Sequence, residues 1–115
     1  MFKLILRDGA PENTGIHEGI ETTVTLKRGQ AVSISAGKAV VATDGDVYGI
    51  VAEEPIDGIV TVLKVTPDMI FKARVTADPT SLKQGGAVTI DGVSAVVVDT
   101  LDAKKVGDYI EVRFE

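Results

Sequence analysis

Thr25-Leu26-Lys27-Arg28-Gly29-Gln30-Ala31-Val32-Ser33-Ile34 returns later in the chain as Ser81-Leu82-Lys83-Gln84-Gly85-Gly86-Ala87-Val88-Thr89-Ile90. The offset from Lys27 to Lys83 is 56 residues, and it carries Ala39-Val40-Val41-Ala42 onto Ala95-Val96-Val97-Val98 without a gap. A gap of five then sets Tyr48-Gly49-Ile50-Val51 on Tyr109-Ile110-Glu111-Val112. Each copy reads as a turn on glycine, an alternating strand and a second apolar strand. Gly29 and Gly85 are therefore predicted to occupy equivalent turns at positive φ, where any side chain meets a steric cost. What recurs is a shape, an internal two-fold repeat of architecture with no repeated chemistry.

Outside the repeat the pattern is again that of strands. Phe2, Leu4 and Leu6 alternate with Lys3 and Arg7, and Met69, Phe71, Ala73 and Val75 alternate with Lys72 and Arg74. Ile110, Val112 and Phe114 alternate with Glu111 and Arg113. A period of two marks a strand with one face buried and one solvated. Ile59 to Val65 and Ala95 to Val98 are apolar on both faces, which places them centrally or under cover on both sides. Ala36-Gly37-Lys38 and Asp91-Gly92 are tight hairpin signals, and Asp44-Gly45-Asp46, Asp57-Gly58 and Pro67-Asp68 supply further turn chemistry. The expectation is an all-β fold, a compact small barrel or sandwich of nine to ten short strands. A single helical turn is expected within Leu101 to Lys105.

Composition narrows the function. The chain has 115 residues, one domain's length, with 44% apolar residues but only 4% aromatic, so its core is aliphatic. It contains no Cys, which excludes disulfides, thiolate catalysis and Cys-ligated metals. The net charge of −5 carries no basic block, which argues against nucleic acid as a partner. No apolar run approaches the roughly 20 residues of a membrane-spanning helix, and the opening Met-Phe-Lys-Leu-Ile-Leu-Arg is too short for a signal peptide. The reading is a soluble protein made inside the cell, with no membrane partner.

Chemistry is sparse. His17 is the one histidine, and with Glu18 and Glu21 it makes a poor metal ligand set. No Ser-His-Asp arrangement stands out around it. Asp44-Gly45-Asp46 lacks the remaining ligands of a calcium loop. Glu53 and Glu54 are adjacent on a strand and diverge to opposite faces. Gln84-Gly85-Gly86-Ala87 lacks the helix and the Lys-Ser/Thr pair of a phosphate loop. No catalytic residue, metal or cofactor is expected.

Asp8 to Thr23 stands apart, with three glycines, a proline and few apolar residues. Such a stretch is long for a loop in a domain this small. Residues 1–23 are read as an N-terminal arm and 24–115 as the β domain. The arm is expected to be mobile in the free protein from Asp8 to Thr23. Its strand-like tip, Phe2 to Arg7, would add to a neighbour's sheet edge, with Phe2, Leu4, Leu6, Ile16 and Ile20 as contacts. The competing placement pairs Phe2 to Leu6 within the protein's own sheet.

The middle of the chain carries a more specific pattern. Gly37-Lys38-Ala39-Val40-Val41-Ala42-Thr43-Asp44-Gly45-Asp46 is followed by Tyr48-Gly49-Ile50-Val51-Ala52-Glu53-Glu54, then by Gly58-Ile59-Val60-Thr61-Val62-Leu63-Lys64 and Met69-Ile70-Phe71. This resembles the head-decoration proteins of tailed bacteriophages, of the lambda type. The ending Val106-Gly107-Asp108-Tyr109-Ile110-Glu111-Val112 is similar to related small phage head proteins. The resemblance spans roughly residues 25 to 114, and the chain departs from it in beginning with a strand-like segment. It implies a non-enzymatic protein on the outer surface of the expanded head of the virion, made in the host cytoplasm. Its partners would be the major capsid protein and other copies of itself, as a trimer on the shell. Rival readings are a tail or baseplate β module, a small trimeric β-barrel enzyme with an interface site, and a carbohydrate-binding domain.

Overall fold

The structure, a computed structural model, describes residues 1–7, 15–43 and 46–114, with Leu6 and Arg7 described by their backbone alone. It contains ten strands: β1 (Lys3–Arg7), β2 (His17–Glu21), β3 (Ala31–Ser35), β4 (Lys38–Val41), β5 (Gly49–Ile56), β6 (Ile59–Lys64), β7 (Met69–Arg74), β8 (Ala87–Ile90), β9 (Val93–Asp99) and β10 (Tyr109–Arg113). They form two five-stranded sheets, ordered β1-β7-β10-β9-β8 and β2-β6-β5-β3-β4. Every neighbouring pair is antiparallel. The architecture is a sandwich and not a closed barrel. The calcium-loop and turn readings at Asp44-Gly45, and the part of the neck from residue 8 to 14, lie outside the described residues.

The tight turns follow from their sequences. Ala36 and Gly37 have φ of 51° and 79°, Asp57 and Gly58 of 54° and 78°, and Asp91 and Gly92 of 52° and 79°. Two successive positive φ values make type I′ turns, whose twist matches that of the flanking strands. The segment from Leu101 behaves differently from the expected helical turn. Leu101 and Asp102 have φ of 50° and 57°, the left-handed region, and the Ala103 N–H donates to Thr100 O at 2.9 Å. That is a fourth two-residue turn of the same hand, and a right-handed helix cannot pass through it.

The sequence repeat is a repeat of local structure. Gly29 and Gly85 have φ of 86° and 82°. The Gly29 N–H donates to Val51 O at 2.8 Å and the Val51 N–H to Gln30 O at 2.9 Å; the Gly85 N–H donates to Val97 O at 2.8 Å and the Val97 N–H to Gly86 O at 2.9 Å. The partner strands, however, are not equivalent. Val97 lies on β9, the hairpin partner of β8, whereas Val51 lies on β5, on the far side of β3 from β4. The third strand of each copy thus docks on opposite sides of its hairpin. In the first copy the outer edge of β4 is already occupied: the Thr22 hydroxyl donates to Ala39 O at 2.8 Å, and Lys38 Nζ lies 3.9 Å from Glu21 Oε1. β5 therefore takes the β3 side.

These contacts also curl the second sheet until β2 approaches β4. Inside the curl, Leu26, Val32, Ala39, Val51, Val60 and Val62 form one core. The opposite face of the same sheet sends Ile50 and Leu63 against the first sheet, where Phe71, Val97, Ile110 and Val112 complete the larger core. β6 thus buries Val60 and Val62 on one face and Leu63 on the other, while Ile59 at its start is exposed and Thr61 half-buried, so its apolar run is covered on both faces only in part.

The N-terminal strand belongs to this larger core and is not an arm. Leu4 pairs with Phe71 and Leu6 with Ile70 across β1 and β7, with an irregularity between the two. Phe2 and Leu4 are 4% and 7% exposed. The Phe2 ring meets Phe114 edge-on at 5.0 Å, and Phe114 meets Phe71 at 5.3 Å. All three phenylalanines of the chain are in this cluster, so in an otherwise aliphatic core the phenyl rings hold the N-terminal segment to the C-terminal one. Residues 17–21 likewise form β2 in place of a neck. A burial of this kind is a strong constraint: Phe2→Ala should cost about 3 kcal/mol or more in urea denaturation, and an unchanged midpoint would show that β1 is dispensable.

The two repeated glycines should differ when substituted. A Cβ at Gly29 would lie 2.9 Å from Met1 Cβ and 3.3 Å from Phe2 O, whereas a Cβ at Gly85 would have nothing within 4 Å. Gly85→Ala should cost roughly 1–2 kcal/mol from its positive φ alone, and Gly29→Ala measurably more. Equal losses would show that contact with β1 adds nothing.

Candidate functional site

Two surface features are built by the edges of this sandwich. The first is the tip of the β5–β6 hairpin. The type I′ turn at Asp57-Gly58 sets Ile56 opposite Ile59, and they are 70% and 46% exposed. The tip is braced by the Thr22 N–H, which donates to Gly58 O at 2.9 Å. It is also braced by Gly19, whose missing side chain leaves room for Ile59; a Cβ there would come within 3.2 Å of Ile59 Cγ2. Exposed Asp57 lies in the turn between the isoleucines, and exposed Glu21 is the cross-strand partner of Ile59. An apolar centre with a charged rim is the anatomy of a protein contact rather than of an enclosed reaction site.

The second feature is a cleft of about 780 Å³ between β1 and the β5–β6 hairpin. Met1 and Ala52 line it beside buried Phe2, Leu4, Ile50, Leu63 and Phe71, together with Lys3, Arg28, Lys72 and His17; among the described residues Glu53 is its one carboxylate. Tyr109, which also lines it, has Lys72 Nζ 4.8 Å and the Arg74 guanidinium 4.9 Å from its ring centroid. Positive charge therefore gathers on the first sheet while negative charge gathers on the hairpin of the second.

The predicted contact residues separate. Phe2 and Leu4 are core, Leu6 is paired through its backbone, and Ile20 is half-buried against the smaller core. Ile16 is 56% exposed, beside the bond from the Lys64 N–H to its carbonyl. His17 and Glu18 are successive residues on β2 and diverge. Glu18 receives the Tyr48 hydroxyl, whose oxygen lies 2.8 and 2.9 Å from its two carboxylate oxygens. Among the described residues no three His, Asp or Glu side chains come within reach of one metal ion. Ile56 and Ile59 were not singled out from the sequence as contacts. The signal was present in Ile56-Asp57-Gly58-Ile59, where a two-residue turn makes the flanking isoleucines cross-strand neighbours. No family model, curated protein or solved structure matches the chain.

The Tyr48–Glu18 bond ties edge strand β2 to the segment entering β5, and it has a pH signature. Donation to Glu18 raises the Tyr48 pKa above the ordinary phenol value, and burial and the Glu18 charge act in the same direction. The fold thus favours the neutral phenol. Its contribution is present below the ordinary tyrosine value of about 10 and is lost as pH rises through the higher folded value. Tyr48→Phe should lower the melting temperature at pH 7, and the gap from the parent should close above pH 10; a constant gap would separate the hydroxyl from the effect.

Proposed function

We propose that this chain is a structural decoration protein of a tailed-phage head, bound to the outer surface of the expanded shell and bridging coat subunits. The segments that carry the resemblance to such proteins, 37–54 and 58–71, coincide with β4, β5, β6 and the start of β7. They enclose the hairpin tip. The observation that carries the reading is that tip: an exposed isoleucine pair on a braced, two-residue turn. With Phe2 and Leu4 committed to the core, the shell contact passes from the N-terminal strand to the hairpin. A pair of isoleucines is a weak contact taken singly. Repeated over a symmetric shell and linked through self-association, weak contacts sum to stable attachment. The acidic net charge suits a surface turned away from packaged DNA.

Expanded, undecorated heads of the phage that encodes the chain provide the test. The parent protein should co-sediment with them, and Ile56→Asp should weaken binding by about tenfold or more, the loss typical of a central contact. Because Ile56 is mostly exposed, the melting temperature of the variant should stay close to the parent's. Failure of the parent to bind heads would overturn the reading. Binding that survives Ile56→Asp would move the contact off the hairpin. Electron microscopy of intact particles separates a shell position from a tail or baseplate one.

A further inference from the structure

We propose that the cleft beside β1 is an acceptor site for an extended, acidic peptide strand of a partner protein. Its volume of about 780 Å³ falls in the range of built binding clefts, roughly 300–1,000 Å³. Three observations select the ligand class. The first is the edge. Among the described residues β1 has β7 on one side and no strand on the other. The Phe2 N–H donates to Gly29 O, away from β7. By the two-residue alternation of a strand, the backbone of Leu4 addresses the same side, into the cleft. Backbone groups of this kind call for another backbone, since an alkyl chain laid over them would bury them unpaired. A peptide strand satisfies them by adding to the sheet.

The second observation is the floor. Met1, half-exposed, and Ala52, partly exposed, line the cleft beside the edges of buried Leu4, Ile50 and Leu63, so the inward side chains of an added strand meet apolar atoms. The third is charge. Arg28 and Lys72 line the cleft from the two sides, with Lys3 beside them, and Glu53 is the one carboxylate among its described lining residues, in a chain whose net charge is −5. A strand with carboxylates on its outward positions complements that lining. Among the described residues the chain's own edge strands do not supply one. β8 (Ala-Val-Thr-Ile) has no carboxylate, β1 and β4 carry lysine, and β2 is bound to Tyr48 and β4. The occupant is therefore a segment of another protein rather than a second copy. This assignment stands independently of the hairpin tip and of head decoration.

The probe is a short fluorescent peptide of alternating glutamate and valine, followed by anisotropy. It should bind the parent protein and weaken steeply as salt is raised. Arg28→Glu with Lys72→Glu should weaken it by about tenfold or more, while Lys83→Glu with Lys104→Glu, an equal charge change at exposed loop residues outside the cleft, should not. The same peptide with lysine for glutamate, and one with N-methylated valines, should fail to bind. No binding, binding indifferent to salt, or equal binding of the N-methylated peptide would each overturn the proposal on the unaltered protein. Self-association of the parent that Arg28→Glu abolishes would make the occupant a second copy and overturn the partner assignment. Ile56→Asp should bind the peptide as the parent does, which keeps this test separate from that of head binding.

Discussion

The backbone of one residue, Gly29, bonds to both sheets. Gly29 donates its N–H to Val51 on β5 and accepts the N–H of Phe2 at the start of β1, both at 2.8 Å. One backbone residue thus joins the second sheet to the first. It does so at φ of 86°, with the Met1 side chain and the Phe2 carbonyl packed where a Cβ would project. Glycine is required there twice over, for its backbone conformation and for the approach of β1. The position of β1 then fixes the rest: Phe2 reaches Phe114, Phe114 reaches Phe71, and the first sheet closes over the second.

The second sheet is organised by a different constraint. With no Trp and few aromatics, a flat sheet would leave its outer apolar face bare. The sheet instead curls, and Leu26 enters the concavity with Val32, Val51, Val60 and Val62. Thr22 is the buried polar residue at the seam, and its hydroxyl satisfies Ala39 O, so the edge strands meet without a continuous ladder. Dispersion among small branched side chains does the work that large rings do elsewhere.

How much of this was legible in the sequence follows from the range of each signal. Period-two alternation and X-Gly turns are local, and they gave the strands around Val32, Phe71 and Val112 and the hairpins at Ala36-Gly37 and Asp91-Gly92. The neighbour of a strand is not a local property. Phe2, Leu4 and Leu6 reveal a buried face but not the identity of β7, and the polar residues that follow made the segment look detached. The repeat likewise predicted equivalent turns at Gly29 and Gly85 but not that β5 and β10 would dock on opposite sides of their hairpins. That choice was made at Thr22 and Glu21, outside the repeat. At Leu101-Asp102 an ordinary residue pair adopts positive φ, which propensity does not foresee. The hairpin tip was readable once its turn was taken as a two-residue one. The cleft was not, because its residues come together only through the pairing of β1.

The pairing of β1 with β7 also sets an order of events during synthesis. The second sheet draws on one continuous stretch, from His17 to Lys64. It can assemble around its own small core as soon as that stretch has left the ribosome. The first sheet cannot: its edge strand β1 precedes the strand that receives it, Met69–Arg74, by more than sixty residues, and Phe114 follows Phe2 by 112 residues. Phe2 and Leu4 therefore emerge as an apolar segment with nothing to cover them. Domains formed in this way expose unpaired strands while they wait, and long-range pairing is slow. The lysine and arginine that alternate with the apolar residues of β1 keep the waiting strand soluble and discourage it from pairing with another nascent chain.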